Sequence, residues 1–152
     1  MLYSFLQLEG ATKLDFGTKL KLARGKKSQV EIAEKLSISV NTLRSYENNR
    51  GMPSIDSFKE ICQRLDLSAD KILEIDDVSS TPSNKGGFLN QKLANIRDNS
   101  DLTIEEMASL FEVSASTWTK YENGSRTPPL KRLQKICKTC KVSANYLLGI
   151  DK

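Results

Sequence analysis

The sequence predicts an all-α protein made of two tandem five-helix domains joined by a flexible linker. A repeat is the first observation behind this. Ser39, Thr42, Tyr46, Glu47 and Asn48 return as Ser114, Thr117, Tyr121, Glu122 and Asn123, each 75 positions on. The second is periodicity: apolar residues fall at helical spacing, and no alternating strand pattern of any length occurs. The third is residues 76–87, DDVSSTPSNKGG, whose Ser, Pro, Asn and Gly content and lack of periodic apolar residues mark a linker. The organisation expected is an N-terminal arm over residues 1–14, a domain over 15–75, the linker 76–87 and a domain over 88–152.

Each element has its own signal. Phe16, Leu20 and Ala23 lie one helical turn apart in the first helix, as do Leu89, Leu93 and Ile96 in its counterpart. The second helices read SQVEIAEKL and TIEEMASLF, with Ser28 and Thr103 as N-caps; Glu31 and Glu106 stand at capping-box spacing from them. Ser39 and Ser114 cap the third helices. Pro53 and Pro128 are expected to start the fourth, where a missing N–H is harmless. The fifth are SADKILEI and SANYLLGI.

Composition excludes several classes. The chain has no histidine, which removes Ser-His and Cys-His nucleophilic catalysis and most zinc arrangements. No glycine-rich phosphate loop or sensibly spaced carboxylate cluster is present, so an enzyme is not expected, nor any cofactor or metal. Cys137 and Cys140 form a C-x-x-C, but Cys137 aligns with Cys62 and Cys140 with Leu65, which assigns both to the apolar side of a helix. No run of about 18 apolar residues is available for a membrane span. The apolar start, MLYSFLQLEG, lacks the basic leader of a signal peptide, and a cytoplasmic protein is expected. The net charge of +4 is compatible with nucleic-acid binding without requiring it. It is evenly split: residues 1–75 hold 12 basic and 10 acidic side chains, and 76–152 hold 11 and 9.

Two short helices separated by about three residues cross tightly only where a small residue sits at the crossing. Ala33 and Ala108 occupy that place. Ile32, Ile38 and Leu43 would fill the interior of the first motif, and Met107, Val113 and Trp118 that of the second. Val40, Asn41, Thr42 and Ser45 then point outward from one third helix, and Ala115, Ser116, Thr117 and Lys120 from the other. An α-helix fits the major groove, and its N-terminal residues meet base edges. These eight are the candidate base-reading residues.

The phrases SQVEIAEKLSIS, YENNRGMP, YENGSRTPP and VSANYLLGI resemble the lambda-repressor-like family of Cro/XRE-type helix-turn-helix domains. The resemblance covers nearly all of each half outside the first 14 residues and the linker. It implies that Gln29 braces a phosphate and a neighbouring side chain, a position where the second half has Ile104. It also implies a left-handed residue in the turn, here Ser37 and Glu112, where the family usually has Gly. Glu47 and Glu122 resemble a glutamate that pairs with an arginine of the first helix, here Arg24 and Arg97, as a structural ion pair. Further phosphate contacts are expected from Arg44, Asn48, Asn49 and Arg50, and from Asn123, Ser125 and Arg126. Lys131, Arg132, Lys135, Lys138 and Lys141 read as a solvated helix face.

The leading expectation is a sequence-specific regulator of transcription, a repressor, using both recognition helices on double-stranded DNA. Half-sites one turn apart lie about 34 Å from centre to centre, and the linker has a root-mean-square span of about 20 Å with a limit near 40 Å. A homodimer would make the operator palindromic. In the alternative, one domain, the first, binds DNA as an autorepressor. The second then binds protein, as a dimerisation module or as an inhibitor such as an anti-CRISPR protein of a phage or mobile element. Ile104, Glu105, Glu106 and Glu112 favour that assignment of roles.

Overall fold

The computed structural model describes residues 13–79 and 86–150. The apolar N-terminal stretch and the middle of the expected linker lie outside those residues. The chain divides between Leu73 and Glu74 into two compact units. Among the described residues every regular element is a helix. The first unit holds α1 (Phe16–Arg24), α2 (Gln29–Leu36), α3 (Val40–Glu47), α4 (Ile55–Arg64) and α5 (Ala69–Leu73); the second holds α6 (Leu89–Asn99), α7 (Ile104–Leu110), α8 (Ala115–Glu122), α9 (Leu130–Cys140) and α10 (Ala144–Leu148).

Capping residues set most boundaries. Ser28 and Thr103 each accept from the backbone N–H three residues on, and Glu31 and Glu106 reach back to complete a capping box. Ser39 and Ser114 cap α3 and α8 in the same way, accepting from Thr42 and Thr117. Such a cap is worth about 1 kcal/mol to a short helix. The fourth helices start later than the prolines suggest. Ser54 caps α4 and Pro129 occupies the cap position of α9, so Pro53 and Pro128 lie outside the helices, buried in extended chain.

Ala33 and Ala108 are both 1% exposed, as a tight crossing of α2 with α3 and of α7 with α8 requires. Ile32, Leu43, Met107 and Trp118 are buried around them. Ile38 and Val113 are only half-buried, because they sit in the turn between the helices, where one side faces solvent. Cys62 and Cys137 are buried core residues, and burial of the partly covered Cys140 raises its thiol pKa, away from the reactive thiolate. No helix among the described residues is long and apolar enough to cross a membrane.

One pair of polar core residues escaped the sequence reading. Lys19 and Lys92 are 7% and 2% exposed. Their Nζ atoms donate to the carbonyls of Ile72 at 2.8 Å and Tyr146 at 2.6 Å, within the closing helices α5 and α10. A cation near a helix C-terminus meets the negative end of the macrodipole. Each lysine thereby ties the first helix of its domain to the last. The shared signal was a Lys immediately before Leu20 and Leu93.

Candidate nucleic-acid interface

The outward face of α3 carries the residues expected there. Asn41 and Arg44 are exposed; Val40, Thr42 and Ser45 are half-exposed, while Leu43 and Glu47 turn inward. Arg44 Nη1 donates to Asn41 Oδ1 at 3.2 Å, so the two form one polar unit on the same face. The Thr42 hydroxyl is 2.8 Å from Ser39 Oγ. On α8, Ser116 and Lys120 are exposed and Ala115 and Thr117 half-exposed. Thr119, the counterpart of Arg44, folds its hydroxyl back onto the Ala115 carbonyl. The reading face of α8 is thus shorter and less rich in donors.

Beneath each helix lies a carboxylate held from inside. Arg24 Nε donates to Glu47 Oε1 at 2.6 Å, and Arg97 Nε to Glu122 Oε1 at 2.7 Å. Each arginine also grips the turn ahead of the motif, through the carbonyls of Lys27 and Leu102. The third donor differs. Gln29 Nε2 reaches Glu47 Oε2 at 2.7 Å, whereas in the second domain the Trp118 indole Nε1 reaches Glu122 Oε1 at 2.6 Å. Gln29, at the start of α2, is therefore fixed by the glutamate through one of its two amide N–H groups. Ile104 leaves no such amide in the second domain. Trp118 also stacks on Phe111, with centroids 5.4 Å apart, and meets Tyr121 edge-on at 5.9 Å.

The turns and loops bordering the recognition helices are tightly built. Ser37 and Glu112 take the left-handed conformation, at φ 57° and 56°. For a non-glycine residue that costs about 1 kcal/mol. Both turns are fastened from the fourth helix of their domain. Arg64 donates to the Lys35 carbonyl and Ser37 Oγ; Arg132 donates to the Phe111 carbonyl, and Lys135 pairs with Glu112 at 2.7 Å. That lysine lowers the Glu112 carboxyl pKa.

Past α3, Asn49 has an internal role that the phosphate reading did not include. Its Oδ1 accepts from the Gly17 N–H at 2.9 Å and its Nδ2 donates to Asp15 at 2.8 Å, which binds the loop to the start of α1. Asn48 accepts from Lys21, and Arg50 is exposed. In the second domain Asn123 Oδ1 accepts from both the N–H and the hydroxyl of Ser125, closing a local turn, and Arg126 stays exposed.

The electrostatics around the two motifs are inverted. From Arg24 to Gly51 the chain carries Arg24, Lys26, Lys27, Lys35, Arg44 and Arg50 against Glu31, Glu34 and Glu47. From Arg97 to Arg126 it carries Arg97, Lys120 and Arg126 against Asp98, Asp101, Glu105, Glu106, Glu112 and Glu122. The same fold thus presents a basic motif once and an acidic one once. Totals taken over each half hide this, because the second domain recovers its positive charge on α9.

Comparison with known proteins agrees with the geometry. A family model for helix-turn-helix matches residues 19–72, and one for helix-turn-helix domain matches residues 90–149. The chain therefore belongs to the Cro/XRE-type helix-turn-helix proteins and carries two such domains in tandem. It is similar to an uncharacterized HTH-type transcriptional regulator, YobD, of Bacillus subtilis (strain 168). The two are 33% identical over 60 residues, 40% of this chain and 54% of that protein. The chain thus spans about half the length of that relative. No solved structure matches it.

Proposed function

We propose that this chain is a sequence-specific double-stranded DNA-binding regulator of transcription, acting as a repressor, with α3 as its principal reading helix. The observation that carries this is the charge contrast between the two motifs. A duplex is a dense line of phosphates, and neutralising it supplies much of the affinity. The first motif holds six basic residues along the chain, of which Arg24 is committed to Glu47, and Asn41 and Arg44 are exposed on α3 as a hydrogen-bonded pair. Asn suits a bidentate contact with adenine and Arg one with guanine. The second motif holds six acidic residues against three basic ones; Glu122, Glu112 and Asp98 are paired within the domain, and the exposed Glu105 and Glu106 on α7 would repel phosphates. The second domain keeps the fold of a reader without the charge of one.

The relative's name, a transcriptional regulator, supports the same reading. The two-headed alternative, in which α8 also reads a half-site, rests on the exposed Ser116, Lys120 and Arg126.

Selection of bound sequences from a random duplex library separates the two. With the full chain, Asn41→Ala together with Ser45→Ala should weaken discrimination at the enriched site by about 1–3 kcal/mol for each bidentate base pairing removed. Ser116→Ala with Lys120→Ala should leave the enriched sequence unchanged. If the second pair of changes erases part of the site, both domains read DNA. If wild type enriches nothing, the proposal fails.

A further inference from the structure

The basic charge missing from the second motif lies on α9. Residues 129–141 hold Lys131, Arg132, Lys135, Lys138 and Lys141 and no acidic residue. The matching stretch of the first domain, 54–66, is mixed: Asp56, Glu60 and Asp66 stand where Lys131, Lys135 and Lys141 stand, alongside Lys59 and Arg64. The fold therefore does not demand lysine at these positions.

Two of the five cations have a structural use, since Arg132 and Lys135 fasten the turn after α7. Lys141 pairs with Asp77 at 3.1 Å. Lys131 and Lys138 remain exposed, two turns apart, with Lys135 between them along one stripe. Like charges at this spacing on a helix repel. Lys131 and Arg132 also occupy the first turn with no acidic residue to complement the dipole, whereas α4 has Asp56 there. Glu112 offsets the charge of Lys135, and an extended anion beside the stripe would do the same for Lys131 and Lys138.

We infer that the α9 lysine stripe is a sequence-independent binding surface for the DNA phosphate backbone. It would hold duplex beside the site read by α3. A uniformly basic stripe fits a uniformly charged strand better than the mixed charges of α4 on a second copy of the chain. A short tether would also keep α9 at millimolar effective concentration near any duplex held by the first domain. The inference rests on the reading that the first domain binds DNA. It makes the second domain a clamp rather than a second reader.

The test uses the full chain and a random-sequence duplex of about three helical turns, roughly 30 base pairs, with affinity followed against salt. Lys131→Gln with Lys138→Gln removes the two lysines outside those pairings, and circular dichroism checks that the fold persists. Each phosphate contact contributes about 0.9 to the slope of log affinity against log salt. The variant should therefore bind with a slope shallower by about 2, and Lys131→Arg with Lys138→Arg should restore it. The sequence enriched from a random library should be unchanged in both variants. An unchanged slope and affinity in the glutamine variant overturns the clamp and leaves α9 to an acidic protein. Failure of wild type to enrich any sequence, with the slope still reduced in the variant, would refute the reading role of α3 and leave the clamp standing.

Discussion

The two domains solve one problem twice. Each must hold a glutamate at the end of its recognition helix, below the surface, and each uses an arginine of its first helix to do so. They differ in the third donor. The first domain takes it from the surface, through Gln29 at the start of α2; the second takes it from the core, through the indole of Trp118. A carboxylate bonded from outside keeps a polar amide at the mouth of the motif. One bonded from inside lets that position become Ile104, with Glu105 beside it. The indole bond thus satisfies Glu122 without a polar side chain at position 104.

A second exchange runs alongside. In the first domain Gly17 lies in α1 and Asn49 in the loop. In the second Asn90 lies in α6 and Gly124 in the loop. A Cβ at Gly17 would stand 2.4 Å from the Glu47 carbonyl oxygen, and one at Gly124 would stand 3.4 Å from the Asn90 side chain. Asn90 instead donates to the Glu122 carbonyl at 3.2 Å. One glycine and one asparagine serve the same junction from opposite sides.

The largest effect is expected from forcing one solution onto the other domain. Trp118→Leu installs the first domain's residue, removes a fully buried indole and strips a donor from Glu122. It should destabilise the second domain by about 3 kcal/mol. Adding Ile104→Gln should recover about 1 kcal/mol by returning an amide to the carboxylate. Urea unfolding followed by circular dichroism measures both, and no recovery would break the equivalence of Gln29 and Trp118.

A smaller effect is expected at the glycine junction. Gly17→Asn alone should cost about 1–3 kcal/mol through overpacking. With Asn49→Gly added, the first domain has the residues of the second; because the clash is with the Glu47 and Tyr46 main chain, any regain requires α1 to shift away from it. An additive loss in the double variant would show that the exchange is not a matched pair.

Acid should produce the smallest difference. Backbone N–H groups of Ser28 and Thr103 hold Glu31 and Glu106 below the usual glutamate range. Lys135 does the same for Glu112, whose counterpart Ser37 does not titrate. A depressed carboxylate adds stability that is complete above its unfolded value and disappears as pH falls through the lower folded value. All three contributions should therefore fade at and below about pH 4, with one extra group in the second domain. Trp118 is the chain's single tryptophan, so its fluorescence follows that domain alone. Glu112→Gln should flatten the acid limb of that signal slightly, and an unchanged limb would remove the Lys135 pair from the account.

Much of the fold was legible because its determinants are local. The caps at Ser28, Ser39, Thr103 and Ser114 act on residues three positions away, so spacing alone reveals them. The repeat identified equivalent positions, and through them Ala33 with Ala108 and Cys62 with Cys137. The arginine–glutamate pairs followed from family resemblance and are present in both domains. The motif charges were readable too, but totals over each half erased a contrast that exists only when the residues are sorted by motif.

The set of helices, their order and their duplication are written in the chain, because periodicity and capping are properties of neighbouring residues. How Gln29 of α2 reaches Glu47 of α3, why Gly17 and Asn49 answer Asn90 and Gly124, and how Lys19 and Lys92 close their domains from within are matters of tertiary packing, whereas the Trp118–Glu122 bond lies within one turn of α8. Several of these contacts join residues more than 30 positions apart. They depend on how closely two helices approach, a distance that no single segment of the chain can set.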